Sequence, residues 1–179
     1  MKIKRIISVL CILCMLFSLV PSAFADEAED FYKDKSWDEV IQEFVDKYED
    51  RNRSRSIALG YRNLVTGEEH FYNGTEYMVT CSMYKVPLNM YFTEKVSKGE
   101  MDWETDVMGY SYEEILEGSI VRSSNTKSQY LIDRIGTYNE YRRAIAPYMG
   151  VDPDEVDFKY YENNFFTAEQ MIHCLNELY

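Results

Sequence analysis

One stretch of this chain alternates in the way paired strands do. In residues 55–62, Ile57, Leu59 and Tyr61 fall at every second position, and residues 68–72 form a second short run beyond the turn Asn63-Leu64-Val65-Thr66-Gly67. Residues 55–72 therefore read as a hairpin. Asn73-Gly74 marks the next turn, and with Thr75 it also spells a glycosylation sequon. Elsewhere the pattern is helical. Two strands alone make a poor sheet, so the expected class is α+β: a helical part joined to part of an antiparallel sheet. On this pattern the sequence looks cut short of a full domain.

The helices are legible from their caps. Ser36 precedes a helix to about Asp50, with Trp37, Val40, Ile41, Phe44, Val45 and Tyr48 on one apolar face. A helix is expected over residues 82–98, with Pro87 near its first turn and Gly99 at its end. Residues 101–109 form a connection containing Trp103. Ser111 with Glu114, and Thr137 with Glu140, are capping boxes opening two more helices. Between them, Ser123-Ser124-Asn125 heads a helix expected to bury Tyr130, Leu131, Ile132 and Ile135 and to close at Gly136. Residues 152–166 look irregular, and Thr167 opens a last helix.

The first 25 residues read as a leader rather than fold. Lys2, Lys4 and Arg5 precede an apolar run over residues 6–20, and Ala23-Phe24-Ala25 is a small-x-small cleavage site, so a secretory signal peptide is expected. The run is short for a membrane span, so no stable span is expected after cleavage; a retained N-terminal anchor is the lesser alternative. Residues 26–36 are acidic and polar, a flexible lead-in, which leaves residues 37–179 as the domain. Removing the three positive charges of the leader from the net −12 gives −15. A surface that acidic argues against nucleic acid and anionic membranes as partners. Cys11 and Cys14 fall inside the leader. Cys81 and Cys174 remain; export permits them to pair, and the sequence leaves that open. With only His70 and His173 beside them, no zinc site of usual spacing can be assembled. No G-x-S-x-G surrounds any serine, so a histidine triad is not supported.

Two short motifs carry chemistry. Ser82 and Lys85 lie three apart at a helix start, which puts hydroxyl and amine on one face. A serine needs a neighbouring base to become a nucleophile, and a lysine serves if its pKa is lowered. On this spacing alone the favoured reading of Ser82 is a helix cap. The same two readings apply to Ser123-Ser124-Asn125. Cys81 reads as a small buried residue.

In this order the motifs resemble those of the penicillin-recognising serine hydrolases, most closely the class A β-lactamases, whose set is S-x-x-K, S-D-N and K-T-G. Ser82-Met83-Tyr84-Lys85 matches the first, and Val86-Pro87-Leu88 after it looks familial. Ser123-Ser124-Asn125 is similar to the second, with Ser124 in place of aspartate. The resemblance spans about residues 55–179, and residues 37–50 suit the family's leading helix. It implies a DD-peptidase/β-lactamase-like fold and an acyl-enzyme mechanism. Ser82 would be the nucleophile and Lys85 its base, Ser123 would relay a proton to the leaving nitrogen, and Asn125 would bind the substrate's amide. The Ser82 N–H would form half of an oxyanion hole. No metal and no cofactor is implied.

Three departures stand out. No K-[ST]-G occurs in these residues. The family's E-x-x-L-N loop is unmatched; the nearest stretch is Glu162-Asn163-Asn164-Phe165-Phe166, where Glu162 on a shortened loop reads first as an exposed loop charge and second as a deacylation base. The segment that would carry an aromatic lid is short; Trp103 and Tyr110 are available there, and packing is the favoured role of either. The expected function is a secreted serine hydrolase acting on a small-molecule β-lactam or on the D-alanyl peptide of peptidoglycan, with antibiotic resistance as one consequence. The alternative is a non-catalytic, penicillin-binding-like module for cell-wall peptide or a protein partner. Oligomeric state is left open.

Overall fold

The structure is a computed structural model and describes residues 34–49, 57–157 and 164–179. The leader, most of the lead-in and Glu162 lie outside the described residues. Contacts divide the chain into two units, Met1–Arg55 and Ser56–Tyr179.

In the first unit, helix α1 (Trp37–Glu49) starts where Ser36 caps it, the Ser36 hydroxyl accepting from the Glu39 N–H at 3.3 Å. Val45 is buried, but Trp37, Phe44 and Tyr48 are exposed, so the expected apolar face is only partly covered.

The second unit begins with the hairpin. Strand β1 (Leu59–Arg62) pairs antiparallel with β2 (Glu69–Tyr72), Leu59 opposite Tyr72 and Arg62 opposite Glu69. Between them the Asn63 side chain accepts from the N–H groups of Val65 and Thr66, and Gly67 takes a positive φ of 74°. The next turn is set by Asn73 at φ 49°, whose amide donates to the Ile57 carbonyl at 2.9 Å. Two further strand pairs were not legible: β3 (Met78–Val79) with β6 (Phe165–Phe166), and β4 (Asp106–Val107) with β5 (Tyr110–Ser111). A two-residue strand has no alternation to read. The connection over residues 101–109 therefore contains a strand, and the irregular region ends in one.

Helix α2 (Lys85–Ser97) is the centre of this unit. Its buried Leu88 and Phe92 pack with Tyr112, Ile115, Leu131, Tyr141 and other core residues. Apolar side chains occur nearly all round it, as expected of a helix surrounded by others. A 3₁₀ turn, Cys81–Tyr84, precedes it, so the helix expected from Ser82 begins three residues later. The capping boxes at Ser111 and Thr137 are both present and open α3 (Tyr112–Leu116) and α5 (Tyr138–Ile145). Helix α3 continues as a π turn, Glu117–Val121. Helix α4 (Asn125–Ile135) buries Leu131 and Ile132 but leaves Tyr130 and Ile135 half-buried. A 3₁₀ turn, Ala146–Met149, follows α5, and α6 (Ala168–Leu178) closes the described chain behind another capping box, Thr167 with Gln170. The architecture is mixed α+β, helices with short antiparallel sheets, as expected. No helix of the described residues is long and apolar enough to cross a membrane.

Candidate active site

The site is built where β3 hands the chain to α2. Thr80 fixes the approach: its N–H and hydroxyl both donate to the Asn164 carbonyl, at 3.2 and 2.7 Å. Asn164 is held in turn by the Tyr138 hydroxyl, which donates to its side chain at 3.0 Å. The chain then reverses through Cys81, which adopts φ 49°. A left-handed residue other than glycine costs about 1–2 kcal/mol, and its effect here is to aim the next residue. Ser82 lands in the 3₁₀ turn, where positions i and i+3 eclipse one another. That alignment brings Lys85 Nζ to 3.2 Å from Ser82 Oγ.

The second wall comes from the turn between the π segment and α4. Ser123 is also left-handed, at φ 51°. Both of its polar groups therefore face the lysine: Lys85 Nζ donates to the Ser123 carbonyl at 2.6 Å and lies 3.0 Å from Ser123 Oγ. Ser123 Oγ donates to Ser82 Oγ at 2.9 Å. Asn125 Oδ1 accepts from Lys85 Nζ at 2.8 Å. Ser124, between them, turns away and caps α4 by accepting from the Lys127 N–H. Both readings of Ser123-Ser124-Asn125 are thus realised, at different residues.

Ser82, Lys85, Ser123 and Asn125 are therefore brought together. Lys85 is only 2 % exposed, while the Ser82, Ser123 and Asn125 side chains stand at the surface. The amine sits one hydroxyl deep. Burial pushes its pKa below the ordinary lysine value, and among the described residues no charged group adds to that effect. The partners suit a neutral amine. The Ser123 carbonyl and Asn125 Oδ1 can only accept, so they take its two N–H groups, leaving its lone pair for the Ser82 proton. Ser82 is also the second residue of its turn, and its N–H has no carbonyl within that turn to bond. Among the described residues there is no group of three or more His, Cys, Asp or Glu side chains that could hold a metal.

One expectation changes. Cys81 is exposed, because the left-handed turn carries it outward; Cys174 is buried, and both thiols are free. Burial pushes the Cys174 thiol up to about 11. Iodoacetamide on the folded chain is expected to label Cys81 and spare Cys174, as read by peptide mapping; equal labelling would contradict this arrangement. Trp103 stacks on Tyr112 at 5.3 Å, and Tyr110 lies beneath the Lys127 ammonium, so each ring already has a partner. Asn89, Ser119 and Ser128 were not legible as site residues, although all three are buried behind Lys85. Asn89 gave one signal: a lone amide four residues after Lys85 in an otherwise apolar run.

A family model described as the beta-lactamase enzyme family matches residues 37–179. No curated protein matches the chain significantly.

Proposed function

The chain belongs to the β-lactamase enzyme family, and from that premise we propose that it is an exported serine hydrolase acylated on Ser82 by a β-lactam or a D-alanyl peptide. The observation that carries the reading is the convergence of Lys85 Nζ and Ser123 Oγ on Ser82 Oγ, at 3.2 and 2.9 Å. In the first step the Lys85 amine takes the Ser82 proton as Oγ attacks the substrate carbonyl carbon. The tetrahedral adduct collapses, the carbonyl carbon–nitrogen bond breaks, and the nitrogen receives a proton from Ser123 Oγ. The Lys85 ammonium returns a proton to Ser123 and is neutral again. Asn125 is placed to orient a substrate amide. Export is supported by the leader over residues 1–25, with its basic start, apolar run and small-x-small end.

Release of the acyl group needs a positioned water and a base. Glu162 takes that role in this reading; it precedes by two residues Asn164, whose carbonyl is tied to Thr80 beside the site. The loop before α6 is short, so acylation is expected to outlast turnover. The test mixes the full chain with benzylpenicillin and follows intact mass and lactam hydrolysis together, with a D-alanyl-D-alanine peptide as second substrate. A lasting adduct with slow hydrolysis is the expected result. Rapid turnover without an adduct would place an efficient base at the site, and no adduct with either substrate would leave a binding module.

A further inference from the structure

Behind Lys85 runs a chain of buried polar groups. Asn89 Nδ2 donates to the Lys85 carbonyl at 2.7 Å and to Ser119 Oγ at 2.9 Å. Ser119 Oγ lies 2.9 Å from Ser128 Oγ, and Ser128 Oγ donates to the Ser124 carbonyl at 2.9 Å. Asn89 is 4 % exposed, and Ser119 and Ser128 are fully buried. The proton order follows from the ends. The Ser124 carbonyl can only accept, so Ser128 donates to it; Ser119 must then donate to Ser128, and Asn89 to Ser119. One Asn89 N–H points back to the Lys85 carbonyl; from the other onward, each proton points from the helix that carries Lys85 toward the turn that carries Ser123 and Asn125.

We infer that Asn89, Ser119 and Ser128 are positioning residues that hold Lys85 in register with the Ser123–Asn125 turn. The inference rests on the reading of Lys85 as the base for Ser82. The chain joins three elements that meet at the site: α2, the π turn and α4. The π turn is what brings Ser119 into line, and Gly118 before it is close-packed, since a Cβ there would meet the Lys127 side chain at 2.7 Å. Asn89 Oδ1 is buried and makes no hydrogen bond. An orphaned buried acceptor works against folding. An apolar side chain of the same size would remove that cost, and the Lys85 carbonyl would keep its helical hydrogen bond. Stability alone therefore does not call for an amide here; the geometry of Lys85 does.

The groups facing Lys85 are few. The Tyr84 ring lies 5.7 Å from its ammonium. The charged side chains of the surrounding elements are engaged elsewhere. Glu117 and Arg122 pair with each other, and Lys127 lies on Tyr110. Arg142 lies against the Phe166 ring at 4.9 Å, Tyr148 bonds Glu94, and His173 faces the Tyr148 carbonyl. Loosening the turn thus acts on Lys85 by letting water reach it rather than by moving a charge.

The experiment compares the full wild-type chain with Asn89→Leu. Three quantities are read: the melting temperature, the Lys85 titration by NMR of ¹³C-labelled lysine, and the rate of benzylpenicillin adduct formation. The variant is expected to melt no lower than wild type. Its Lys85 is expected to titrate closer to the ordinary lysine value, and its acylation to slow by about 10²-fold, the typical effect of misplacing a catalytic group by about an ångström. Ser119→Ala breaks the same chain and should shift both readouts the same way. The double variant should be no slower than the slower single, because the residues act as a unit. An unchanged Lys85 titration in both single variants overturns the inference. If wild type forms no adduct, the proposed function fails while the titration still decides this point.

Discussion

Ser82→Ala is expected to abolish adduct formation with a penicillin and to reduce hydrolysis by about 10⁴-fold or more, the scale on which loss of a nucleophile acts. The hydroxyl is the one atom on which Lys85 Nζ and Ser123 Oγ both converge. Without it the amine has no proton to take, and Ser123 loses its acceptor. The exposed Cys81 thiol does not substitute, because its left-handed backbone turns it from the eclipsed line that Ser82 shares with Lys85. The fold should hardly notice the change. Ser82 is exposed and caps no helix, so stability should move by no more than about 0.5 kcal/mol. Intact mass after mixing and a thermal melt check the two halves. An undiminished adduct in the variant would assign the chemistry to another group.

Lys85→Met should slow acylation by about 10²–10⁴-fold, the usual worth of general-base help, and should not destabilise the protein at neutral pH. The wild-type rate should rise with pH, because the working form in the proposed mechanism is the neutral amine. Burial lowers the Lys85 pKa from its ordinary 10.5, so the rise is centred below that value. The stability linkage has a definite sign. Between the lowered folded value and 10.5, the unfolded chain binds more protons than the folded one, so this group's contribution to stability grows as pH rises through that window. Below the folded value the ammonium is charged in both states and the full burial cost is present. Methionine removes that cost, and the surface groups Ser82, Ser123 and Asn125 are left to solvent. A rate that stays flat from neutrality to the ordinary lysine value, or a clear loss of stability in the variant, would contradict this account of Lys85.

What could be read in advance was what is local. The capping boxes at Ser111 and Thr137 satisfy helix ends within three residues, so their signature survives in any fold. The hairpin was legible because Ile57, Leu59 and Tyr61 alternate ahead of the turn Asn63–Gly67, with a second short run just beyond it. Strands β3, β4, β5 and β6 are two residues each and exist through pairing with partners distant or adjacent, which no pattern announces. At the site, residue types and order pointed to Ser82, Lys85, Ser123 and Asn125, and the structure gathers those four. The means of gathering them was hidden. Cys81 and Ser123 adopt left-handed conformations imposed by their surroundings, and neither is a glycine that would have signalled them. Cys81 was expected inside for its chemistry and lies outside because of its backbone. Asn89 hydrogen-bonds across elements separated by 30 residues in sequence, a relation only the fold creates.

Peptide mapping of the full chain after reaction with benzylpenicillin locates the bond on which everything above depends. The adduct is expected on the peptide containing Ser82, at the Ser82 hydroxyl, with Cys81 on the same peptide unmodified and with the yield falling as pH is lowered and Lys85 gains its proton. An adduct on Cys81, on Ser123 or on a peptide outside this site would contradict it.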